Sequence, residues 1–219
     1  DEVSSIKDFK GLPKISKKNY VNKYTLEQLI FKNSIAEITT ISATSGSTGA
    51  PTYFPRGEEQ DTQYEYIAEM FLRNQFNAHE KRTLCILGFA LGIWIGGIFT
   101  YKVLNKIASK GYPLSIAPVG TDKNAFISVL KEFGDKFDQV ILMGYPPFIK
   151  DIVDEIPNNK IDLNKVELKI ITATEAYTEK FRDYLVQKAN IKNKYLDILN
   201  IYGTVELGTM AFESPLSIL

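Results

Sequence analysis

Cysteine and histidine are almost absent from this chain, and no sign of charge is in excess. The single cysteine, Cys85, excludes an intrachain disulfide, and the single histidine, His79, leaves no Cys/His cluster for structural zinc. The 26 Lys and Arg residues balance the 26 Asp and Glu residues. Because no global positive field results, we expect binding neither to nucleic acid nor to an anionic membrane surface.

One stretch lacks charge for long enough to raise the question of a membrane span. Residues 84–101 carry no charged side chain, which meets the length of a transmembrane helix. Glycines interrupt the stretch at four positions, namely Gly88, Gly92, Gly96 and Gly97. They favour a strand at 83–87, a turn, and a helix from about 94 to 109, so we predict no membrane span.

The N-terminal residues also lack a targeting pattern. Residues 1–5 contain no charged segment followed by an apolar one, and the chain does not start with methionine. We expect a cytoplasmic protein whose given sequence begins inside a longer chain.

The rest of the composition is typical of a globular protein. Of the 219 residues, 44% are hydrophobic and 24% charged, from which we predict one domain over 1–219. Short apolar runs alternate with segments of helical periodicity. Strands are predicted at 38–43, 83–87, 114–117, 139–143, 168–173 and 198–202, and helices at 58–77, 94–109, 122–133, 146–156 and 178–189. This alternation predicts an α/β fold with a largely parallel sheet and helices on both faces. Functional residues should then follow the C-terminal ends of the strands.

The loop after the first predicted strand has the composition of a phosphate-binding loop. It reads Thr44-Ser45-Gly46-Ser47-Thr48-Gly49-Ala50-Pro51. Its glycines allow successive backbone N–H groups to converge on an anion, and its hydroxyls add further donors. The spacing excludes a Walker loop and a dinucleotide fingerprint. Composition alone leaves a polar surface turn as the alternative.

Two motifs in order resemble those of the adenylate-forming (AMP-binding) enzymes. The loop at 44–51 is similar to the family's signature loop, which holds the ATP phosphates. Tyr202-Gly203-Thr204-Val205-Glu206 is similar to the family's aromatic-Gly-x-Thr/Ser-Glu motif. Residues 12–17, Thr52 and Ala211-Phe212-Glu213 look like the phenylacetate-CoA ligase branch. The resemblance runs from about residue 10 to 213. It implies the N-terminal core of such an enzyme, without the C-terminal small domain and its catalytic lysine.

The resemblance also implies roles for individual residues. Thr48 and Glu206 are the catalytic candidates, and Glu206 is the expected Mg²⁺ ligand. The nucleotide-binding candidates are Thr44, Ser45, Gly46, Ser47, Thr48, Gly49, Ala173, Thr174, Glu175, Tyr202, Gly203 and Thr204. The acyl-pocket candidates are Phe89, Trp94, Tyr145 and Pro146. Without the resemblance, Glu206 reads as a solvated carboxylate at a strand end, and Tyr202 and the pocket candidates read as core residues.

The implied activity is ATP-dependent activation of an aryl or acyl carboxylic acid. Acyl-AMP would form first and a thioester with coenzyme A second, so ATP or AMP, Mg²⁺ and CoA are the expected cofactors. Two alternatives remain open. One is acyl transfer to a protein, as in acyl-protein synthetases. The other is a non-catalytic nucleotide-binding remnant, because Ala173-Thr174 stands where the family usually has two glycines and Val205 where it usually has a hydroxyl.

Overall fold

The computed structural model describes residues 5–30, 35–44, 51–162 and 166–218. The chain divides into two compact units, Asp1–Ile38 and Thr39–Leu219. The first unit contains α1 (Ile6–Gly11), a 3-10 helix at Val21–Lys23, α2 (Leu26–Leu29) and a 3-10 helix at Ile35–Glu37. Ser5 caps α1 because its hydroxyl oxygen accepts a hydrogen bond from the Asp8 N–H. None of the described residues of this unit is buried.

The second unit is built around a six-stranded sheet. The strands of this unit, inside and outside that sheet, are β1 (Thr40–Ala43), β2 (Tyr53–Arg56), β3 (Thr83–Gly88), β4 (Leu114–Ala117), β5 (Gln139–Gly144), β6 (Glu167–Ala173), β7 (Ile198–Thr204) and β8 (Gly208–Phe212). Its helices are α3 (Glu58–Asn74), α4 (Ile95–Ser109), α5 (Lys123–Phe133), α6 (Pro146–Asn158), α7 (Glu179–Ala189), α8 (Lys194–Asp197) and α9 (Pro215–Ile218), and a 3-10 turn covers Gly134–Lys136. The sheet order is β4-β3-β5-β6-β7-β8, and every pairing is parallel except that of β7 with β8.

Two hydrophobic clusters form the core of this unit. Alternate side chains of the central strands belong to different clusters, as a pleated strand requires. Cys85 and Ile141 pack with residues of α3 and α4, whereas Ile86 and Val140 pack with residues of α5, α6 and α7. The predicted α/β fold with a largely parallel sheet is therefore confirmed.

The first predicted strand, at 38–43, does not lie in this sheet. Thr40–Ala43 instead pairs antiparallel with Tyr53–Arg56 in a separate two-stranded sheet. Expecting residues 44–51 to follow a strand of the parallel sheet was therefore wrong, because they connect the two strands of a hairpin. An apolar run indicates a strand but does not identify its partner.

The hairpin is joined to the rest of the unit beside the start of α4. The Ala43 N–H donates a hydrogen bond of 3.0 Å to the Ile93 carbonyl, and Ala43 forms a parallel bridge with Trp94. The ends of the connection between the strands are also fixed. The Thr44 N–H donates to the Thr52 carbonyl at 3.0 Å, and the Thr44 hydroxyl oxygen accepts from the Thr52 N–H at 3.1 Å.

The uncharged stretch at 84–101 folds as its glycines predict. It forms β3, a connection, and the first half of α4. Among the described helices, none combines the length and the apolar character that a membrane crossing requires.

Candidate active site

A cavity of about 250 Å³ opens at the C-terminal ends of β6 and β7. Three elements supply most of its wall: the end of β6 with the residue after it, the β7–β8 turn, and the first turns of α4. The lining residues are Tyr64, Phe89, Ile95, Gly96, Phe99, Thr100, Ala173, Thr174, Ile201, Gly203, Thr204, Val205, Gly208 and Thr209. Binding crevices of open α/β sheets are expected at this edge.

Two glycines give the β7–β8 turn its shape. A Cβ at Gly203 would lie 2.6 Å from the Gly208 carbonyl oxygen, so only glycine allows the two strands to approach this closely. Gly208 has a φ of +74°, which side chains disfavour. The Thr204 hydroxyl oxygen accepts a 3.1 Å hydrogen bond from the Leu207 N–H and closes the turn around Glu206.

The turn after β6 is held by polar contacts with β7. The Thr172 hydroxyl donates to the Asn200 side-chain oxygen at 2.9 Å. The side-chain amide nitrogen of Asn200 donates to the Glu175 backbone carbonyl at 3.4 Å. Thr174 has a φ of +79°, an uncommon value for a β-branched residue. Because strained residues often cluster at functional sites, this turn is a reasonable part of a binding site.

Tyr64 and Thr100 form a buried polar pair in the lining of the cavity. The Tyr64 and Thr100 hydroxyls lie 3.2 Å apart. Burial raises the pKa of Tyr64 to about 12, while the hydrogen bond with Thr100 opposes the shift. The phenol is therefore neutral near pH 7 and keeps its hydrogen-bonding role.

The structure distributes the predicted site residues among three environments. Five of them line the cavity: Phe89, Ala173, Thr174, Gly203 and Thr204. Three others are exposed beside it: Glu175 and Glu206 on the turns, and Tyr202 near the end of β7. Trp94, Tyr145 and Pro146 are not among the lining residues; Trp94 directly precedes Ile95, and the Tyr145 ring packs on Phe148 in the cluster formed with α5 and α6.

The predicted phosphate loop is described only at its ends. Thr44 lies at the base of the hairpin connection, beside the start of α4. The other candidates, Ser45, Gly46, Ser47, Thr48 and Gly49, lie outside the described residues. Their position relative to Glu206 stays a prediction.

Metal binding would depend on one carboxylate. Within the described ranges, no group of three His, Cys, Asp or Glu side chains is arranged to hold a metal ion. Mg²⁺ is commonly held by one or two carboxylates together with substrate phosphates, so an exposed Glu206 on a turn at the cavity suits that type of site. The metal would require the nucleotide to complete its coordination.

Comparison with solved structures finds proteins of the same fold, whereas the sequence comparisons find no match. No protein-family model matches the chain, and no curated protein matches it. The model is similar to 2-hydroxyisobutyryl-CoA ligase in complex with R3-HIB-AMP, with a TM-score of 0.63 and 16% identity over 94% of this chain and 41% of the ligase. The chain has the fold of an adenylate-forming enzyme core.

Two further structures have the same fold over most of this chain. An ATP-bound RpMatB-BxBclM chimera has a TM-score of 0.54 and 13% identity, over 83% of this chain and 32% of the chimera. A keto acid-selecting NRPS module with an adenylation domain has a TM-score of 0.56 and 21% identity, over 81% of this chain and 14% of the module. This chain thus spans well under half the length of each of these proteins.

Sequence reasoning missed several residues of the cavity. Tyr64 lies in the helix predicted at 58–77 and belongs to the core, and it also lines the cavity. Phe99, Thr100 and Gly208 carried no motif. Arg56, which is 2% exposed, is the most informative omission, because nothing in the local sequence indicates that this arginine is buried.

Proposed function

We propose that this chain supplies the nucleotide and acyl site of an enzyme that activates a carboxylic acid with ATP. The acid would form an acyl-AMP and then a thioester with coenzyme A, as phenylacetate-CoA ligase-like enzymes do. The fold is consistent with this activity, and CoA is favoured over a protein as the acceptor because similar structures are CoA ligases.

One observation carries the proposal. Ala173-Thr174, at the positions where the family usually has two glycines, and Gly203-Thr204 of the second motif line the same cavity, although they are distant in the sequence. They come from different strands, and Phe89, an acyl-pocket candidate, lies in the same wall.

The size and lining of the cavity indicate which part of the intermediate it would take. Its volume of about 250 Å³ is below the roughly 300–1,000 Å³ of pockets that bury a drug-sized ligand. Phe89, Phe99 and Ile201 make its wall largely apolar. We therefore assign the cavity to the acyl or aryl group, and the exposed turns at its mouth to the adenosine and phosphates.

The chemistry requires the acid's carboxylate to attack the α-phosphorus of ATP while pyrophosphate leaves. The backbone and hydroxyl donors of residues 44–49 would neutralise the phosphates, and Glu206 would hold the Mg²⁺ that spreads the developing charge. Tyr202 is 64% exposed, so its ring is accessible for packing on adenine.

Nucleotide binding without catalysis is the second candidate. Val205 and Thr174 both line the cavity, so a branched apolar side chain and a strained β-branched residue stand at the positions where the family usually has a hydroxyl and a glycine. A site changed in this way can retain nucleotide binding while losing the alignment that in-line attack needs.

Calorimetric titration with Mg·ATP and with AMP tests binding, and acid-dependent ATP–pyrophosphate exchange tests the first half-reaction. We expect Gly46→Asp to abolish both signals, because it introduces a negative charge into the predicted phosphate loop. Gly11→Asp is the matched control, since a Cβ at Gly11 meets no atom within 4 Å.

The outcomes separate the two candidates. ATP–pyrophosphate exchange that depends on one acid from a panel of aryl and acyl acids supports the proposal of an acid-activating enzyme. Nucleotide binding without exchange for any acid supports the non-catalytic module. Unchanged nucleotide affinity in Gly46→Asp contradicts the assignment of the loop.

A further inference from the structure

Arg56 is buried without enough hydrogen bonds to account for its burial. The side chain is 2% exposed, and its Nε and Nη2 atoms have no hydrogen-bond partner in the described part of the chain. Burying a charged group is costly unless it is paired and bonded. A buried arginine that keeps two unpaired nitrogens therefore calls for a functional explanation.

Three contacts of the Arg56 guanidinium are with residues of the cavity wall. Its Nη1 donates a 3.2 Å hydrogen bond to the Val205 carbonyl. Its guanidinium carbon lies 4.3 Å from the centre of the Phe99 ring, a cation–π distance. A Cβ at Gly208 would lie 2.8 Å from Nη2, so the guanidinium also fills the space against that glycine. Val205, Phe99 and Gly208 each line the cavity.

The backbone of Arg56 belongs to a different part of the site. Arg56 ends β2 and pairs with Thr40 of β1, so it lies in the hairpin whose strands are connected by residues 44–52. Val205 is 149 positions further along the chain. One side chain thus connects the hairpin of the predicted phosphate loop to the turn that carries Glu206.

A buried carboxylate near Arg56 offsets part of its charge. Asp61, in the first turn of α3, is 1% exposed and forms an ion pair with Lys102 of α4. The Asp61 charge raises the pKa of Arg56, but the loss of hydration on burial is the larger effect and lowers it. Because Asp61 is paired with Lys102, the Arg56 guanidinium is available to contact the turn that contains Val205.

We propose that Arg56 is a positioning residue that fixes the 204–208 turn, and with it Glu206, relative to the hairpin that carries residues 44–52. The planar, delocalised guanidinium of arginine can interact with the Phe99 ring and donate to the Val205 carbonyl at the same time, which the ammonium of lysine, a single point charge, does less well. The effect on nucleotide binding rests on the proposed function, whereas the effect on the turn does not.

Amide hydrogen exchange, followed by mass spectrometry on residues 1–219, measures the positioning directly. The variants are Arg56→Met, which removes the donors and the charge, and Arg56→Lys, which keeps the charge but replaces the planar guanidinium by a single nitrogen. Lys169→Met is the matched control. Lys169 is another buried cation, 8% exposed and bonded to Asp197 at 2.6 Å, and its site lies near the opposite ends of the strands. Exchange of amides in residues 203–209 is compared with exchange in β5 of the same protein.

We expect Arg56→Met to raise the relative exchange rate of residues 203–209 by about tenfold, or about 1.4 kcal/mol. Arg56→Lys should give an intermediate rate, and Lys169→Met no relative change. An equal relative rate in Arg56→Met and Lys169→Met overturns the proposal. If Arg56→Met does not fold, a relative rate in Arg56→Lys equal to wild type overturns it instead.

A second measurement separates this proposal from the proposed function. Calorimetry with Mg·ATP should show affinity weakened about tenfold in Arg56→Met and unchanged in Lys169→Met. Failure of the wild type to bind nucleotide refutes the proposed function. In that case the hydrogen-exchange result alone decides whether Arg56 positions the turn. Normal affinity in Arg56→Met, with wild-type binding present, refutes the link between the turn and the nucleotide.

Discussion

At the scale of a single residue, Gly208 is constrained both by its backbone conformation and by the closeness of Arg56, and mutation can separate the two effects. Its φ is +74°, and a Cβ would contact Arg56 Nη2 at 2.8 Å. Gly111 has a similar φ of +96° but no atom within 4 Å of the added Cβ.

Gly208→Ala should therefore destabilise the protein more than Gly111→Ala. Backbone strain alone costs on the order of 1 to 3 kcal/mol, and the contact with Arg56 adds to it only at Gly208. Urea unfolding of both variants measures the difference. Equal losses would mean that the turn can move away from Arg56 without cost.

Tyr64 links the cavity to the pH dependence of stability. Its pKa is raised by burial to about 12, against about 10 in an unfolded chain. The unfolded state therefore releases this proton first. The contribution of the neutral phenol is complete below pH 10 and is lost as the pH rises from about 10 to about 12.

Tyr64→Phe should remove this dependence. Below pH 10 the variant loses the bond to Thr100 and about 1 kcal/mol of stability. Between pH 9 and pH 11, wild type should lose roughly 1 kcal/mol more than the variant. Urea unfolding at the two pH values checks this, and parallel losses in the two proteins would show that Tyr64 does not contribute.

At the scale of elements, one ionic network joins α7, β7 and the end of β8. Arg182 is fully buried, and its Nη2 donates to both Glu213 carboxylate oxygens at 2.8 Å. Glu213 also accepts a 2.8 Å hydrogen bond from the Asn200 N–H. Arg182 reaches Glu179 as well, but that carboxylate is 51% exposed.

Glu213→Ala should therefore destabilise the protein by about 3 kcal/mol, because it leaves a buried guanidinium poorly compensated. Glu179→Ala should cost less than about 1 kcal/mol, as exposed ion pairs usually do. Urea unfolding measures both variants. A loss for Glu213→Ala no larger than for Glu179→Ala would contradict the importance of the network.

The elements also show what periodicity can and cannot predict. The central strands and α3 to α7 follow from apolar patterns within single segments, and their ends differ from the predicted ones by at most three residues. The strand at Tyr53–Arg56 was missed because Pro55 disfavours a strand interior. The hairpin tolerates it, because β2 has no second partner strand within the described residues.

The site was predictable where it rests on glycine and hydroxyl motifs. At Gly203 the two strands approach closely, and the Thr204 hydroxyl closes the turn. Both requirements are visible in a short sequence motif. Arg56 and Tyr64 were not predictable as site residues. Their roles depend on Val205, 149 residues from Arg56, and on Thr100, 36 residues from Tyr64.

At the scale of the whole molecule, the proposed site brings together three segments that are distant in the sequence. Residues 173–174, 203–205 and Gly208 line the cavity, and the base of the hairpin connection at Thr44 lies beside the start of α4, which also lines it. An acyl-adenylate has an apolar group, an adenosine and a phosphate, and it should contact all three segments at once.

Hydrogen exchange with and without a non-hydrolysable acyl-sulfamoyl adenosine tests this arrangement most directly. We expect slower exchange in residues 44–52, 173–175 and 202–208 together, with little change in α5 and α6 on the other side of the sheet. Protection confined to one of the three segments, or located mainly in α5 and α6, would contradict it.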